Sequence, residues 1–323
     1  MVLTAGFVRL SAAGSSEGLL LAFALGALLA GLDRRWRLVL VLLAACCLLR
    51  VEAWPFALVA VALRWRVAPP RERVVLAAGV ITVPALWFGP EWLGSGDPMR
   101  SGDRARVPNP GQPALADVPA WASARDAALL VFWPVLLGLV VLRRDPRALA
   151  PAAIGLAWVA LVAVMAQAGF SGEARYAMPG VALIAVSGAV GIARLGPAGA
   201  AAVAACVAVA AVPRVEGLAR DHEALRYQAR MQADLARAIA AAGGPDALVR
   251  CGRPVTGPYR GTLVAWHLRV EKSTVGFPPE SGGVVLASAL TRGAPVEPGI
   301  ALQATTVRAG TWRIETRCSG HTA

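Results

Sequence analysis

Hydrophobic residues run in blocks through the first two thirds of the chain, separated by short stretches rich in Arg, Gly and Pro. A helix needs roughly 20 apolar residues to cross a bilayer core of about 30 Å. The blocks closest to that length are residues 19–32, 38–49, 56–63, 74–88, 127–142, 149–170, 176–192 and 198–212. We therefore predict a mainly α-helical, polytopic membrane protein with about six to eight membrane segments.

Arginine clusters between the blocks predict the orientation of the segments. The loops 33–37, 64–73 and 143–147 hold ten Arg, and short Arg-rich loops stay on the cytoplasmic side. This orientation places 91–125, 171–175 and the chain after 213 outside the cytoplasmic membrane. The stretch between the first two loops must enter and return from the same side, as a re-entrant hairpin or two short helices.

The chain after residue 213 has no block long enough to cross a bilayer. Residues 214–245 are predicted to form an amphipathic helix and linker, lying either on the membrane surface or against the domain that follows. Residues 246–323 are predicted to form a small extracytoplasmic α/β domain, with strands at 247–251 and 284–287 and a hairpin at 303–317. Residues 1–213 are predicted to form the transmembrane helical domain.

Two of the five cysteines, Cys251 and Cys318, lie in this C-terminal region. In an oxidising compartment they would pair, and closing that loop is worth about 4 kcal/mol; the alternative is two free thiols. The other three lie in apolar blocks, where Cys behaves as a small hydrophobic residue. The three histidines show no metal-ligand spacing with the cysteines, so no metal site is predicted.

The charge composition bears on which class of partner the protein binds. The chain has 32 Lys+Arg against 20 Asp+Glu, a net charge of +12, and is 57% hydrophobic but only 16% charged, whereas soluble domains are about one quarter charged. Thirty-one of the 32 basic residues are Arg, and many of them lie in short runs between the apolar blocks. The basic excess therefore indicates membrane orientation, with the lipid bilayer as the partner, and argues against nucleic acid.

Ionisable residues at membrane depth are candidate functional residues because their burial is costly unless they are paired. Arg50 and Glu52 interrupt the predicted hairpin; they form either a functional site or a pair that caps the bend. Arg175 and Tyr176 lie at the outer end of a long segment. They could bind a lipid phosphate, with Tyr176 as an interfacial anchor, or form part of an exposed ion pair beside an aromatic belt.

A third candidate lies in the long outer loop, where Asp97 follows a Gly-Ser-Gly sequence and Asp103 comes six residues later. Gly-rich turns with two carboxylates can hold a cation or a sugar. The alternative is an ordinary turn.

The order of several short motifs resembles actinobacterial polytopic proteins of the glycosyltransferase-C superfamily, akin to protein mannosyltransferases. The motifs are LRVEAWPF (49–56), GSGDP (94–98), RYAMP (175–179), CGRP (251–254) and AWHL (265–268). The resemblance implies transfer of a sugar from a polyprenyl-phosphate donor to an acceptor outside the cytoplasmic membrane, with inversion at the anomeric carbon. It also implies that Arg175 and Tyr176 hold the lipid phosphate.

Members of that superfamily use an acidic residue in the first external loop as a base or metal ligand, so a divalent cation is the one cofactor the resemblance leaves open. Here Asp33 follows the first apolar block in an Arg-rich loop, and Glu17 is the only acidic residue upstream. No catalytic residue is assigned, and one hypothesis is that an N-terminal part was lost. The alternative function is a non-catalytic scaffold or binding protein of the cell envelope; a transporter is disfavoured because the blocks show no inverted repeat.

Overall fold

The structure is a computed structural model that describes residues 7–109, 111–278, 283–302 and 305–318. The chain divides into two compact units, Met1–Leu218 and Ala219–Ala323. Each unit is described by itself. Most of the described chain is helical and a small sheet lies near the C-terminus, which confirms the predicted fold class at this level.

The first unit contains ten helices among the described residues, and an eleventh crosses the boundary between the units. They are α1 (Phe7–Ala12), α2 (Glu17–Leu32), α3 (Trp36–Leu49), α4 (Trp54–Trp65), α5 (Pro70–Ser95), α6 (Arg100–Ala105), α7 (Pro119–Leu130), α8 (Pro134–Val141), α9 (Pro146–Gln167), α10 (Met178–Ala193) and α11 (Pro197–Ala241). Three single 3-10 turns connect them, at Val51–Ala53, Pro113–Leu115 and Ala174–Ala177.

Four described helical stretches are long and apolar enough to cross a membrane: Pro70–Ser95, Pro146–Gln167, Ala174–Ala193 and Pro197–Ala241. Helices α7 and α8 would add a fifth if counted together, but they are bent by 92° at their junction. These helices indicate a membrane protein. The predicted six to eight segments are not confirmed, because α2 and α3 have only 16 and 14 residues, or about 24 and 21 Å of helix.

Residues 38–63 form two short helices, α3 and α4, joined by the 3-10 turn Val51–Ala53. Helix α11 differs more clearly from the prediction. It runs through Pro213 as one helix, although the sequence predicted an apolar segment ending there and a separate amphipathic helix after it. Proline removes one backbone hydrogen bond, and the Ala-rich sequence around it has a high enough helix propensity to continue.

Small residues bring the central helices of the first unit into close contact. A Cβ atom added to Gly138 in α8 would lie 1.8 Å from the Gly188 carbonyl oxygen in α10, and one added to Gly155 in α9 would lie 2.3 Å from the Gly180 carbonyl oxygen. Only glycine permits these backbone approaches, which are typical of packed membrane helices.

Ser187 joins α10 to the backbone of α9. Its buried hydroxyl donates to the Ala148 carbonyl at 2.8 Å and accepts from the Ala152 amide at 3.1 Å. These groups flank Pro151, an internal proline of α9. The hydroxyl therefore satisfies backbone groups at the place where proline interrupts the helical ladder.

The second unit contains a five-stranded sheet with two short helices, α12 (Pro245–Cys251) and α13 (Gly261–Leu268), and a 3-10 turn, Lys272–Thr274. Its strands are β1 (Pro254–Thr256), β2 (Val284–Ala289), β3 (Val296–Glu297), β4 (Thr305–Ala309) and β5 (Trp312–Thr316). The order is β1-β2-β5-β4, with β3 pairing β2; β1 and β2 are parallel and the other pairs are antiparallel.

The core of the second unit lies between the sheet and the C-terminal half of α11. Its largest buried members include Leu235, Leu268, Leu286, Trp312 and Ile314. The amphipathic part of α11 therefore packs against the domain that follows it. Tyr227 and Asp234 in this part of α11 are partly and fully buried, because the buried face of the helix includes Met231 and Ala238.

Residues 247–251 were predicted to be a strand and are helical, as part of α12. Pro245 at the start and Gly252 after the end are typical helix boundaries. The predicted strand at 284–287 is confirmed. The hairpin predicted at 303–317 is confirmed from Thr305 to Thr316, with its turn at Ala309-Gly310, and residues 303 and 304 lie outside the described residues. Within the hairpin, Glu315 is buried on the sheet face opposite Ile314, where its carboxylate accepts a 2.6 Å hydrogen bond from the Leu302 amide.

Cys251 and Cys318 are joined by a disulfide, with Cα atoms 4.3 Å apart. The bond ties the end of α12 to the segment after β5. Cys46, Cys47 and Cys206 are free thiols, the first two buried in α3.

A carboxylate-arginine cluster as candidate functional site

A buried ion pair joins the start of α2 to the end of α3. Glu17 is the first residue of α2 and only 1% exposed. Arg50 follows the last residue of α3, and its Nη2 donates to Glu17 Oε1 at 2.6 Å. The negative charge at a helix N-terminus and the positive charge at a helix C-terminus both complement the helix dipoles.

The segment between α9 and α10 brings a second arginine to this pair. Arg175 Nε lies 2.5 Å from Glu173 Oε2 and 3.9 Å from Glu17 Oε1. The guanidinium groups of Arg50 and Arg175 lie 4.3 and 5.0 Å from the centre of the Tyr176 ring, within cation-π range. We call Glu17, Arg50, Glu173, Arg175 and Tyr176 the Glu17 cluster.

Neighbouring groups hold the Glu17 cluster in place. The Trp158 indole donates to the Tyr176 carbonyl at 2.8 Å, and the Gln112 amide donates to Glu173. Ser123 donates to the Gly172 carbonyl at 2.9 Å. The long loop before α7 therefore contacts the turn that carries Arg175.

Glu52 does not pair with Arg50, so the predicted pair capping the bend is wrong. Arg50 instead bonds Glu17, because the 3-10 turn Val51–Ala53 begins immediately after it and carries Glu52 into the interior. Glu52 is 7% exposed, and its Oε2 has no hydrogen-bond partner among the described residues. One oxygen of Glu17, Oε2, is likewise buried and unpartnered within the described chain.

The Glu17 cluster and the arginine-rich loops lie at opposite ends of the helices. Asp145 caps the start of α9 and forms a 2.7 Å ion pair with Arg194 at the end of α10. The 22 residues of α9 separate this pair from the Glu17 cluster by about 33 Å of helix. The turn between α2 and α3, which carries Arg34 and Arg35, also lies at the end away from Glu17.

The two ion pairs differ in solvent exposure. Asp145 and Arg194 are partly exposed, and the hydrogen bond from Arg194 lowers the pKa of Asp145, helped by the backbone amide of Ala148. Glu17 is inaccessible by comparison. Water screens the Asp145 pair, whereas the Glu17 pair depends on its protein neighbours.

An apolar groove of about 440 Å³ lies between α3, α4 and α5, lined by residues such as Leu40, Ala57 and Val80. Trp54 lines the groove, and its indole donates to the Cys47 carbonyl at 3.0 Å. Trp54 and Tyr176 pack on the same hydrophobic cluster around Leu20. The groove is thus connected to the Glu17 cluster through continuous packing.

The outer-loop candidates do not join this site. Asp97 accepts a 2.9 Å hydrogen bond from the Met99 amide in an exposed turn, and Asp103 is exposed on α6. No group of three His, Cys, Asp or Glu side chains suited to a metal ion occurs among the residues that the structure describes. The described residues therefore do not assemble the set of ligands that a divalent cation would require.

Sequence reasoning selected Arg50 with Glu52 and Arg175 with Tyr176 as two separate sites, and an ion pair at Arg175 was one alternative. It missed Glu17 as the group that joins the two sites. Glu17 could have been found as a carboxylate next to an apolar block, a position where an acid needs a partner. Nothing in the sequence identifies that partner, since Arg50 and Arg175 are 33 and 158 positions away.

Comparison of the chain with protein-family models, characterised proteins and solved structures finds no match.

Proposed function

We propose that this protein is a membrane glycosyltransferase that moves a sugar from a polyprenyl-phosphate donor to an acceptor at the outer face of the cytoplasmic membrane. The observation that carries the proposal is the convergence of Arg50 and Arg175 on Glu17 and on the Tyr176 ring. A phosphate needs fixed cationic donors, and arginine provides them in a planar fork.

Charge balance supports phosphate binding by exchange. Glu17 and Glu173 together compensate Arg50 and Arg175. Glu173 is 29% exposed whereas Glu17 is 1% exposed, so Glu173 is the carboxylate that yields its place on Arg175 to the incoming phosphate. Glu17 stays and holds the two arginines together.

The groove supports a lipid-linked donor. Its lining is apolar and lies between helices that contact the same hydrophobic cluster as Tyr176. In this proposal the groove receives part of the prenyl chain and the Glu17 cluster receives the phosphate. This arrangement matches a ligand with a charged head on a long apolar tail.

Glu17 is the proposed base once the exchange of Glu173 for the phosphate has opened the cluster, because its Oε2 is buried before that exchange. Its Oε2 takes the proton of the acceptor hydroxyl, the acceptor oxygen bonds to the anomeric carbon, and the bond from that carbon to the phosphate oxygen breaks. The polyprenyl phosphate leaves with its charge stabilised by Arg50 and Arg175. Such general-base assistance is worth about 10²–10⁴-fold in rate.

The opposite locations of the Glu17 cluster and the arginine-rich loops support the proposed orientation. In this proposal the arginine-rich ends are cytoplasmic, so the Glu17 cluster lies on the outer side. The C-terminal unit then lies in the oxidising compartment. The disulfide between Cys251 and Cys318 agrees with that location.

Binding of polyprenyl phosphate to protein reconstituted in nanodiscs tests the proposal, because this lipid is the product for any sugar. Arg175→Ala should weaken binding about tenfold or more, since it removes charge-assisted hydrogen bonds. Arg194→Ala is the matched control, because it also removes an arginine paired with a carboxylate but at the other end of the α9-α10 pair.

Glu17→Gln separates binding from transfer. Because both arginines remain, it should bind polyprenyl phosphate more tightly than Arg175→Ala does, yet lose sugar transfer from a polyprenyl-phosphate donor. If Arg175→Ala and Arg194→Ala both bind the lipid as the unmodified protein does, the phosphate site is wrong. The alternative function, a non-catalytic scaffold or binding protein of the envelope, would then be favoured.

A further inference from the structure

A second cluster of cationic side chains lies entirely in the C-terminal unit. A pocket of about 330 Å³ is lined by four arginines, Arg220, Arg226, Arg230 and Arg292, and by the single acid Glu223. Four positive charges against one negative charge leave a formal charge of +3. None of the four arginines forms an ion pair with any residue in the described part of the chain.

The same unit contains a buried arginine. Arg260 is 1% exposed, and its Nη1 lies 3.2 Å from the Pro258 carbonyl oxygen and 3.5 Å from Glu297 Oε2. Its Nε and Nη2 are buried and have no hydrogen-bond partner among the described residues. These two nitrogens form one edge of the guanidinium, the edge that binds two oxygens of a phosphate or carboxylate at once.

Strand β2 connects Arg260 to the pocket. Glu297, whose carboxylate lies 3.5 Å from Arg260 Nη1, pairs with Ser288 of β2. The next residue, Ala289, accepts a hydrogen bond from the hydroxyl of Tyr227, whose side chain lines the pocket. Burial lowers the pKa of Arg260, while Glu297 and Tyr227 act electrostatically in the opposite direction. The Arg260 guanidinium therefore lacks hydrogen-bond partners on one edge, and the pocket that Tyr227 lines carries a net positive charge.

The topology places these residues at a common edge. Strands β1 and β2 are parallel, so the segments that follow them leave the sheet on the same side. Arg260 comes four residues after β1, directly before α13, and Arg292 comes three residues after β2. In sheets with parallel strands, ligands bind at this carboxyl edge, and a helix N-terminus there favours anions.

We propose that the C-terminal unit binds a phosphate-bearing anion at this edge, with the Nε and Nη2 edge of Arg260 as the inner contact and Arg226, Arg230 and Arg292 around the entrance. Tyr227 moves aside to admit the anion. The carboxylates of Glu223 and Glu297 repel anions, so only an anion that also bonds to Arg260 binds at this site. The proposal does not depend on the function proposed for the Glu17 cluster.

The full chain in zwitterionic nanodiscs is titrated with inorganic pyrophosphate at fixed ionic strength. We expect saturable binding that weakens about tenfold in Arg260→Lys, which retains the charge but loses the two-nitrogen edge. A similar loss is expected in the Arg226→Ala/Arg230→Ala variant, whose changes are on the surface and leave the core intact. Arg308→Ala removes an exposed arginine of β4 outside the pocket and should bind as the unmodified protein does.

A second arm repeats the titration in nanodiscs containing an anionic phospholipid. Reduced pyrophosphate binding in this arm identifies a lipid headgroup as the source of the phosphate, and unchanged binding identifies a soluble ligand. Absence of saturable binding in both arms overturns the proposal. So does equal binding by the Arg226→Ala/Arg230→Ala variant and Arg308→Ala, an outcome that remains decisive even if Arg260→Lys does not fold.

Discussion

Arg50 donates a 2.6 Å hydrogen bond to Glu17, 33 positions earlier in the sequence, and this bond joins the end of α3 to the start of α2. Glu17 is almost fully buried whereas the Arg50 side chain is 20% exposed. The pair therefore lies between a surface ion pair, which contributes little, and a fully buried one, in which loss of one partner is costly.

Glu17→Gln should destabilise the first unit by about 2 kcal/mol, less than the 3–5 kcal/mol for fully buried pairs because water partly screens Arg50. The change leaves Arg50 without its carboxylate and weakens the contact with Arg175. Thermal unfolding can be followed by the reaction of a thiol dye with Cys46 and Cys47, which are buried in α3. An unchanged midpoint would contradict a structural contribution from this bond.

Gly138→Ala should disrupt the contact between α8 and α10. The added Cβ would lie 1.8 Å from the Gly188 carbonyl oxygen, so one backbone must move, at a cost of about 1–3 kcal/mol or more. Gly79→Ala is the control, because its Cβ would meet nothing within 4 Å and alanine favours helix. Equal midpoints for the two variants in the thiol-dye experiment would show that α8 and α10 are not packed this closely.

Reduction of the Cys251–Cys318 disulfide should destabilise the second unit by about 4 kcal/mol, the entropy of closing a loop of 67 residues. Hydrogen exchange should accelerate in β2 and β5, which form the centre of the sheet. Exchange in α9 should stay unchanged, since it belongs to the first unit. The same result is expected for the Cys251→Ser/Cys318→Ser variant; unchanged exchange in β2 would be inconsistent with this role.

Acidification should weaken the Asp145–Arg194 pair. Because Arg194 lowers the pKa of Asp145 below its ordinary value of 3.8, the stabilisation is fully present above that value and is lost as the pH falls through the lower, folded-state pKa. The difference in thermal midpoint between the unmodified protein and Asp145→Asn should be constant near neutral pH and shrink below about pH 4. Asp103→Asn removes a carboxylate of exposed α6 and serves as the control; an identical pH profile for both variants would argue against the pair.

The sequence determined the mainly helical class, the arginine-rich loops and the C-terminal hairpin, because these follow from local patterns of apolar and charged residues. It also identified Arg50, Glu52, Arg175 and Tyr176 as candidate functional residues, because they lie within or at the end of apolar segments. It misassigned residues 247–251, since a short apolar run fits a strand or a helix equally well and the flanking Pro245 and Gly252 decided the outcome.

Tertiary structure alone decided which charges meet. Arg50 could pair with Glu52 two positions away or with Glu17 on another helix, and only the packing of α2, α3 and the segment before α10 selects Glu17. The same holds for Arg260, whose burial and unpartnered edge depend on strands far apart in sequence. The local sequence shows that a charged residue lies in an apolar segment, where its burial is unfavourable unless it is paired. Which residue pairs with it depends on proximity in the folded structure.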